Sequence, residues 1–172
     1  MNIILAGYMG CGKSTIGAEL AKKINRRFID LDNYIEIAEK KEINEIFAVS
    51  GDIYFRKKES LYLENIISKS DNIVLSLGGG TICYNKNVDL IKSSKNISFY
   101  LKLNATKLSE RLFNIRSKRP LLSSIDNEND LLEYISKHLF ERESYYRKSN
   151  HIIDCNDKSI DNIIDGILDK LD

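Results

Sequence analysis

The run Gly7-Tyr8-Met9-Gly10-Cys11-Gly12-Lys13-Ser14-Thr15 follows the apolar segment Ile3-Ile4-Leu5-Ala6 and opens a helix-like pattern at Lys13. Its spacing, G-x-x-x-x-G-K-[ST], is that of a phosphate-binding loop set between a strand and a helix. The glycines let the backbone wrap closely around phosphate, with N–H groups aimed at its oxygens. The helix that follows adds the positive end of its dipole. Lys13 is expected to reach the β- and γ-phosphates, and the Ser14 hydroxyl to ligate Mg²⁺. The loop points to a nucleoside triphosphate and is silent about what is done with it.

The rest of the chain repeats the same alternation. Apolar strand-like runs at Asn2–Ala6, Arg27–Asp30, Ile73–Leu77, Ile97–Leu101 and His151–Asp154 alternate with helical patterns. These patterns cover Asn33–Lys40, Ile43–Val49, Asp52–Ser68, Lys86–Ser93, Ala105–Ile115 and Asn129–Arg147, with a last one around Ile160–Leu171. Short, continuously apolar strands are those of a parallel sheet buried on both faces. The expectation is one α/β domain over residues 1–172, three-layered around a parallel sheet. Ligands of such a sheet sit beyond the carboxyl ends of its strands.

Composition narrows the partners. The net charge is +1 and the charged residues are spread through the chain, so no global field argues for nucleic acid or a membrane surface. No apolar stretch reaches the length of a bilayer span. The first strand begins at about residue 2, which leaves no room for a leader and makes a cytoplasmic location the expectation. Cys11, Cys83 and Cys155 form neither a metal pattern nor a disulfide framework. Cys11 lies inside the phosphate loop, where a thiol near the phosphates would be oxidisable.

Further polar groups fall at the same sheet edge. Asp30 and Asp32 close the second strand; two apart on an extended segment, both carboxylates could face one cleft. Asp32 could instead cap the next helix. Gly78-Gly79-Gly80 closes the third strand, with backbone that a ligand can approach closely. Arg56 and Arg147 are either surface charges or anion ligands. Arg119-Pro120-Leu121-Leu122 lies in the polar segment Arg116–Glu128, the place for a lid over the transferring phosphoryl group.

In their order these motifs resemble the shikimate kinase family. They are the phosphate loop, Phe28-Ile-Asp30-x-Asp32, Ile43-x-x-Ile46-Phe47, Gly51-x-x-x-Phe55-Arg56-x-x-Glu59, Ser76-Leu-Gly-Gly-Gly80, Arg119-Pro-Leu-Leu122 and Arg142 through Tyr146-Arg147. The resemblance implies a P-loop kinase fold with a five-stranded parallel sheet in the order 2-3-1-4-5. It implies ATP-dependent phosphorylation of the 3-hydroxyl of shikimate, a step towards chorismate and the aromatic amino acids. It also implies a substrate-binding segment at about 32–62, a lid at about 112–127, and a monomer. Carried over by position, Lys13, Asp32 and Arg119 are the catalytic residues. Gly10, Cys11, Gly12, Lys13, Ser14, Thr15, Arg116 and Arg119 bind ATP, with Arg111 the other candidate for stacking on adenine. Asp32, Arg56, Gly79, Gly80 and Arg147 bind shikimate, and Ser14 and Asp30 serve Mg²⁺, Asp30 through water.

Two rival readings remain at this point. A gluconate kinase or another small-metabolite kinase of this fold would also use carboxylate-binding arginines. A GTPase switch would need an Asn-Lys-x-Asp run, and Asn156-Asp157-Lys158-Ser159 does not match it.

Overall fold

The computed structural model describes residues 1–84, 86–93, 95–115 and 122–171. Its five strands are β1 (Asn2–Ala6), β2 (Arg27–Asp30), β3 (Ile73–Ser76), β4 (Asn96–Lys102) and β5 (His151–Asp154). All pair in parallel, in the order β2-β3-β1-β4-β5. This is the expected sheet. Its helices are α1 (Lys13–Lys23), α2 (Leu31–Glu39), α3 (Ile43–Lys69), α4 (Asn87–Ile91), α5 (Ala105–Phe113), α6 (Glu128–Tyr146) and α7 (Ile160–Leu168), with a 3₁₀ turn at Thr81–Cys83.

Every residue of β1 and β3 is buried, so helices cover both faces of the sheet there. The edge strands β2 and β5 keep exposed positions. Helices α1 and α7 pack together, α2 on α3, and α5 on α6. Side chains set where several helices begin. Asn104 caps α5, Asn127 caps α6 and Ser159 caps α7, each accepting a backbone N–H of the first turn. The two helical patterns on either side of Gly51 form a single element, α3, kinked at that residue (φ 77°, ψ 173°). That backbone conformation suits glycine because no Cβ crowds it.

Register delivers the loops to one edge. Asp30 stands opposite Ser76, and Ser76 opposite Leu5. The segments after β1, β2 and β3 therefore leave the sheet side by side. At the opposite edge a buried amide ties three strands. Asn2 donates from Nδ2 to Asn96 Oδ1 (3.1 Å) and Ser70 O (3.2 Å), and its Oδ1 accepts from Ile73 N (3.3 Å). Replacing Asn2 by Ala strands these partners, and an unsatisfied buried polar group costs about 1–3 kcal/mol. The Asn2→Ala protein should therefore unfold at lower urea with an unchanged m-value. The loops at the far edge should keep the wild-type pattern of amide exchange.

Candidate active site

The phosphate loop is built as its sequence predicts. Gly12 (φ 100°) precedes α1, and no side chain caps that helix. The first N–H groups of α1 are left for an anion. The Lys13 ammonium is buried under the loop, donating to Gly7 O (2.9 Å) and Tyr8 O (3.0 Å). Gly10, Gly12, Lys13, Ser14 and Thr15 line a cavity whose opposite side is formed by Asp30, Asp32 and Leu77. Cys11 differs from expectation. It is 1% exposed, packs in the hydrophobic core and does not line this cavity; its Sγ lies 3.9 Å from the Lys13 ammonium.

The two aspartates also depart from the extended geometry expected of them. Helix α2 begins at Leu31, one residue after the strand ends, and Asp30 is its cap. Asp30 Oδ1 accepts from the N–H groups of Asp32 (3.1 Å) and Asn33 (3.3 Å). Asp30 Oδ2 accepts from the Ser14 hydroxyl. Asp32 is thus a first-turn helical residue, yet it still reaches the cleft. An oxygen-rich corner of one hydroxyl and one carboxylate, open to the phosphate cavity, suits Mg²⁺. That ion keeps several waters and takes its remaining ligands from phosphates. Among the described residues no group of three or more His, Cys, Asp or Glu could hold a metal by itself.

A second cavity adjoins the first. Ile43, Phe47, Phe55 and Met9 make its apolar side, and Asp32, Arg56, Glu59, Gly78–Gly80 and Arg142 its polar side. Met9, Asp32 and Gly79 line both cavities. Arg56 is held in place from several directions. Nη1 donates to Glu59 (2.8 Å), Nε lies 3.5 Å from Asp52, and the guanidinium sits 5.2 Å from the Phe55 ring centre. Glu59 is fully buried and also accepts from Thr81 Oγ1 (2.6 Å). Burial works against the Arg56 charge, but Glu59, Asp52 and Asp32 more than offset it and raise its pKa. The glycine turn provides the room. A Cβ on Gly80 would lie 2.8 Å from an Arg56 nitrogen, and one on Gly78 2.8 Å from both Asp32 and Glu59.

Of Arg142 and Arg147, it is Arg142 that the structure places at this cavity, whereas the sequence-based expectation named Arg147. Arg147 is half exposed, bonds Glu143 (2.9 Å), and does not line the cavity. Arg142 lines it, with Nη1 3.5 Å from Gly79 O, and Tyr146 donates its hydroxyl to the same carbonyl. Helical spacing held the signal. Residues 142 and 146 lie one turn apart on one face of α6, whereas 147 is rotated about 100° from 146. Arg111, the second adenine candidate, has Nη1 3.4 Å from Gly10 O. Arg116 and Arg119 lie outside the described residues, as does part of the expected lid.

Comparison with known proteins identifies the family. The family model described as "Shikimate kinase" matches residues 9–172. The shikimate kinase of Flavobacterium johnsoniae is 43% identical over 98% of both chains. That of Azobacteroides pseudotrichonymphae is 39% identical, again over 98% of both. The crystal structure of shikimate kinase from Bacteroides thetaiotaomicron superposes with a TM-score of 0.90 at 30% identity, covering 99% of this chain and 98% of that one. The enzyme from Acinetobacter baumannii in complex with shikimate gives 0.87 at 31% identity, covering 99% and 92%. With a family match over nearly its whole length and relatives this similar, the chain belongs to the shikimate kinase family.

Proposed function

We propose that this protein transfers the γ-phosphoryl group of ATP to the 3-hydroxyl of shikimate, giving shikimate 3-phosphate and ADP. The observation that carries the reading is the wall of Met9, Asp32 and Gly79 common to the two cavities. A triphosphate on the loop and an acceptor beside Arg56 and Arg142 would meet across Asp32. Its carboxylate would accept the hydrogen bond of the attacking hydroxyl. A loose phosphoryl-transfer transition state needs little base strength but close alignment.

The remaining roles follow from chemistry and position. Two guanidinium groups at one end of a small, half-apolar cavity suit a carboxylate on a ring. Arg142 takes the clamping role that the sequence assigned to Arg147, beside Arg56 and the backbone of Gly79 and Gly80. Lys13 and the free N–H groups of α1 would hold the phosphates. Ser14 and Asp30 would hold Mg²⁺, which neutralises charge on the phosphates when bound. Arg119 would reach the phosphates from the lid at about 112–127, and Arg116 or Arg111 would flank the base. Among the described residues no helix is long and apolar enough to cross a membrane.

A panel of shikimate, gluconate and nucleoside monophosphates with coupled ADP detection tests the reaction. Turnover confined to shikimate is expected, and turnover of gluconate alone would overturn the proposal. Arg142→Ala should raise KM for shikimate far more than KM for ATP. Losing one member of a buried charge pair costs on the order of 2–5 kcal/mol. Arg147→Ala should stay within about 0.5 kcal/mol of wild type, as exposed substitutions do. The reverse ranking would restore the sequence-based assignment. Asp32→Asn should lower kcat by about a hundredfold or more while leaving shikimate binding measurable by calorimetry. Ser14→Ala should raise the Mg²⁺ concentration needed for half-maximal rate, and an unchanged Mg²⁺ titration would remove Ser14 from the metal site.

A further inference from the structure

One partly buried polar contact joins the phosphate loop to α6 and has no part in the chemistry described above. Tyr8 is the first residue after Gly7 in the phosphate loop, and its side chain is 1% exposed. Its hydroxyl lies 2.9 Å from Nδ1 of His138, on α6. The two rings meet edge to face with centres 5.6 Å apart, and the Tyr134 ring centre lies 5.3 Å from that of the imidazole. Tyr134, His138, Arg142 and Tyr146 recur every fourth residue, so they form one stripe of α6. The stripe touches the phosphate loop through His138 and the glycine turn through Arg142 and Tyr146, both at Gly79 O. The turn itself abuts the loop, since a Cβ on Gly79 would lie 3.0 Å from Met9 N. The Tyr8 carbonyl meanwhile accepts from the Lys13 ammonium.

Resting on the kinase reading above, we propose that Tyr8 and His138 are a positioning pair. Their hydrogen bond fixes α6 to the phosphate loop and so sets where Arg142 meets the acceptor's carboxylate. Neither side chain lines either cavity. The pair acts through Arg142 and does not touch substrate.

The protonation states fit this arrangement. Burial, and next the neighbouring Tyr134, push the Tyr8 phenol well above its ordinary value, so it keeps its proton. Burial, and next the charge of Arg142, bring His138 down to about 4. Glu141 opposes that shift and Arg56 adds to it. The imidazole is then neutral near pH 7, with Nδ1 free to accept from the phenol and the ring proton on Nε2. Sequence patterning alone reads His138 as a surface or core residue with no chemical role, because no nucleophile or ligand spacing involves it, and Tyr8 as a variable position of the phosphate loop.

The test uses the full chain, as wild type and as Tyr8→Phe, His138→Phe and His138→Gln. Wild-type turnover of shikimate comes first, since its absence would defeat the functional reading and not this one. Tyr8→Phe and His138→Phe should each raise KM for shikimate about threefold to tenfold, the range set by one net hydrogen bond. KM for ATP should stay within about twofold of wild type in both. His138→Gln, whose amide oxygen can accept from the phenol, should recover most of the loss. With shikimate methyl ester, whose carboxyl group carries no charge for Arg142 to read, the variants should match wild type. A penalty that persists with the ester, an equal rise in both KM values, or no rise at all would overturn the pairing. Should Tyr8→Phe fail to fold, His138→Phe and His138→Gln alone separate the outcomes: equal KM values for shikimate in the two would overturn the pairing.

Discussion

A parallel sheet with both faces buried leaves chemistry only its ends. β1 and β3 have no exposed residue, so nothing along them can touch a ligand. Parallel pairing sends the chain off the same edge after each strand, and the register puts the ends of β2, β3 and β1 in line. The phosphate loop, the Asp30 cap and the glycine turn are neighbours for that reason. No long-range interaction has to gather them. The opposite edge serves stability, with the Asn2 amide as its tie.

Within that edge the charges are arranged to wait for a ligand. Arg56 could satisfy itself completely on Glu59 and Asp52, but Glu59 is shared with Thr81 and Asp52 lies out in solvent. A partly buried guanidinium so held keeps its plane and part of its donor set for an incoming anion. Little reorganisation is then needed when the acceptor binds, and preorganised electrostatics of this kind carries much of enzymatic catalysis. The phosphate side follows the same logic, with α1 lacking a side-chain cap and Lys13 folded under its own loop.

How much of this was legible in the sequence depends on the range over which the signal acts. Strands were legible as continuous apolar runs between helical patterns, whereas their order followed only from the family resemblance that the ordered motifs carry. Asp30 as cap was missed because a strand that turns into a helix without a spacer looks the same as a longer strand. Arg142 was missed for a related reason. Tyr146-Arg147 reads as a unit along the chain, but a helix turns adjacent residues to different faces, and only the four-residue spacing says which ones share a wall. The inward turn of Cys11 has no local signature, since loop curvature decides it. The Tyr8–His138 contact spans 130 positions and only the fold brings it together.

The kink at Gly51 has a meaning for acceptor choice. It divides α3 so that Ile43 and Phe47, on the apolar wall, precede it, and Arg56, the charge reader, follows it. A Cβ at this position would meet nothing within 4 Å, so backbone geometry alone calls for glycine there. Phe55 of the apolar wall also follows the kink, so the two arms of one bent rod face each other across the cavity. Altering the bend would move Ile43 and Phe47 relative to Phe55 and Arg56, and so change the size of ring admitted beside the guanidinium.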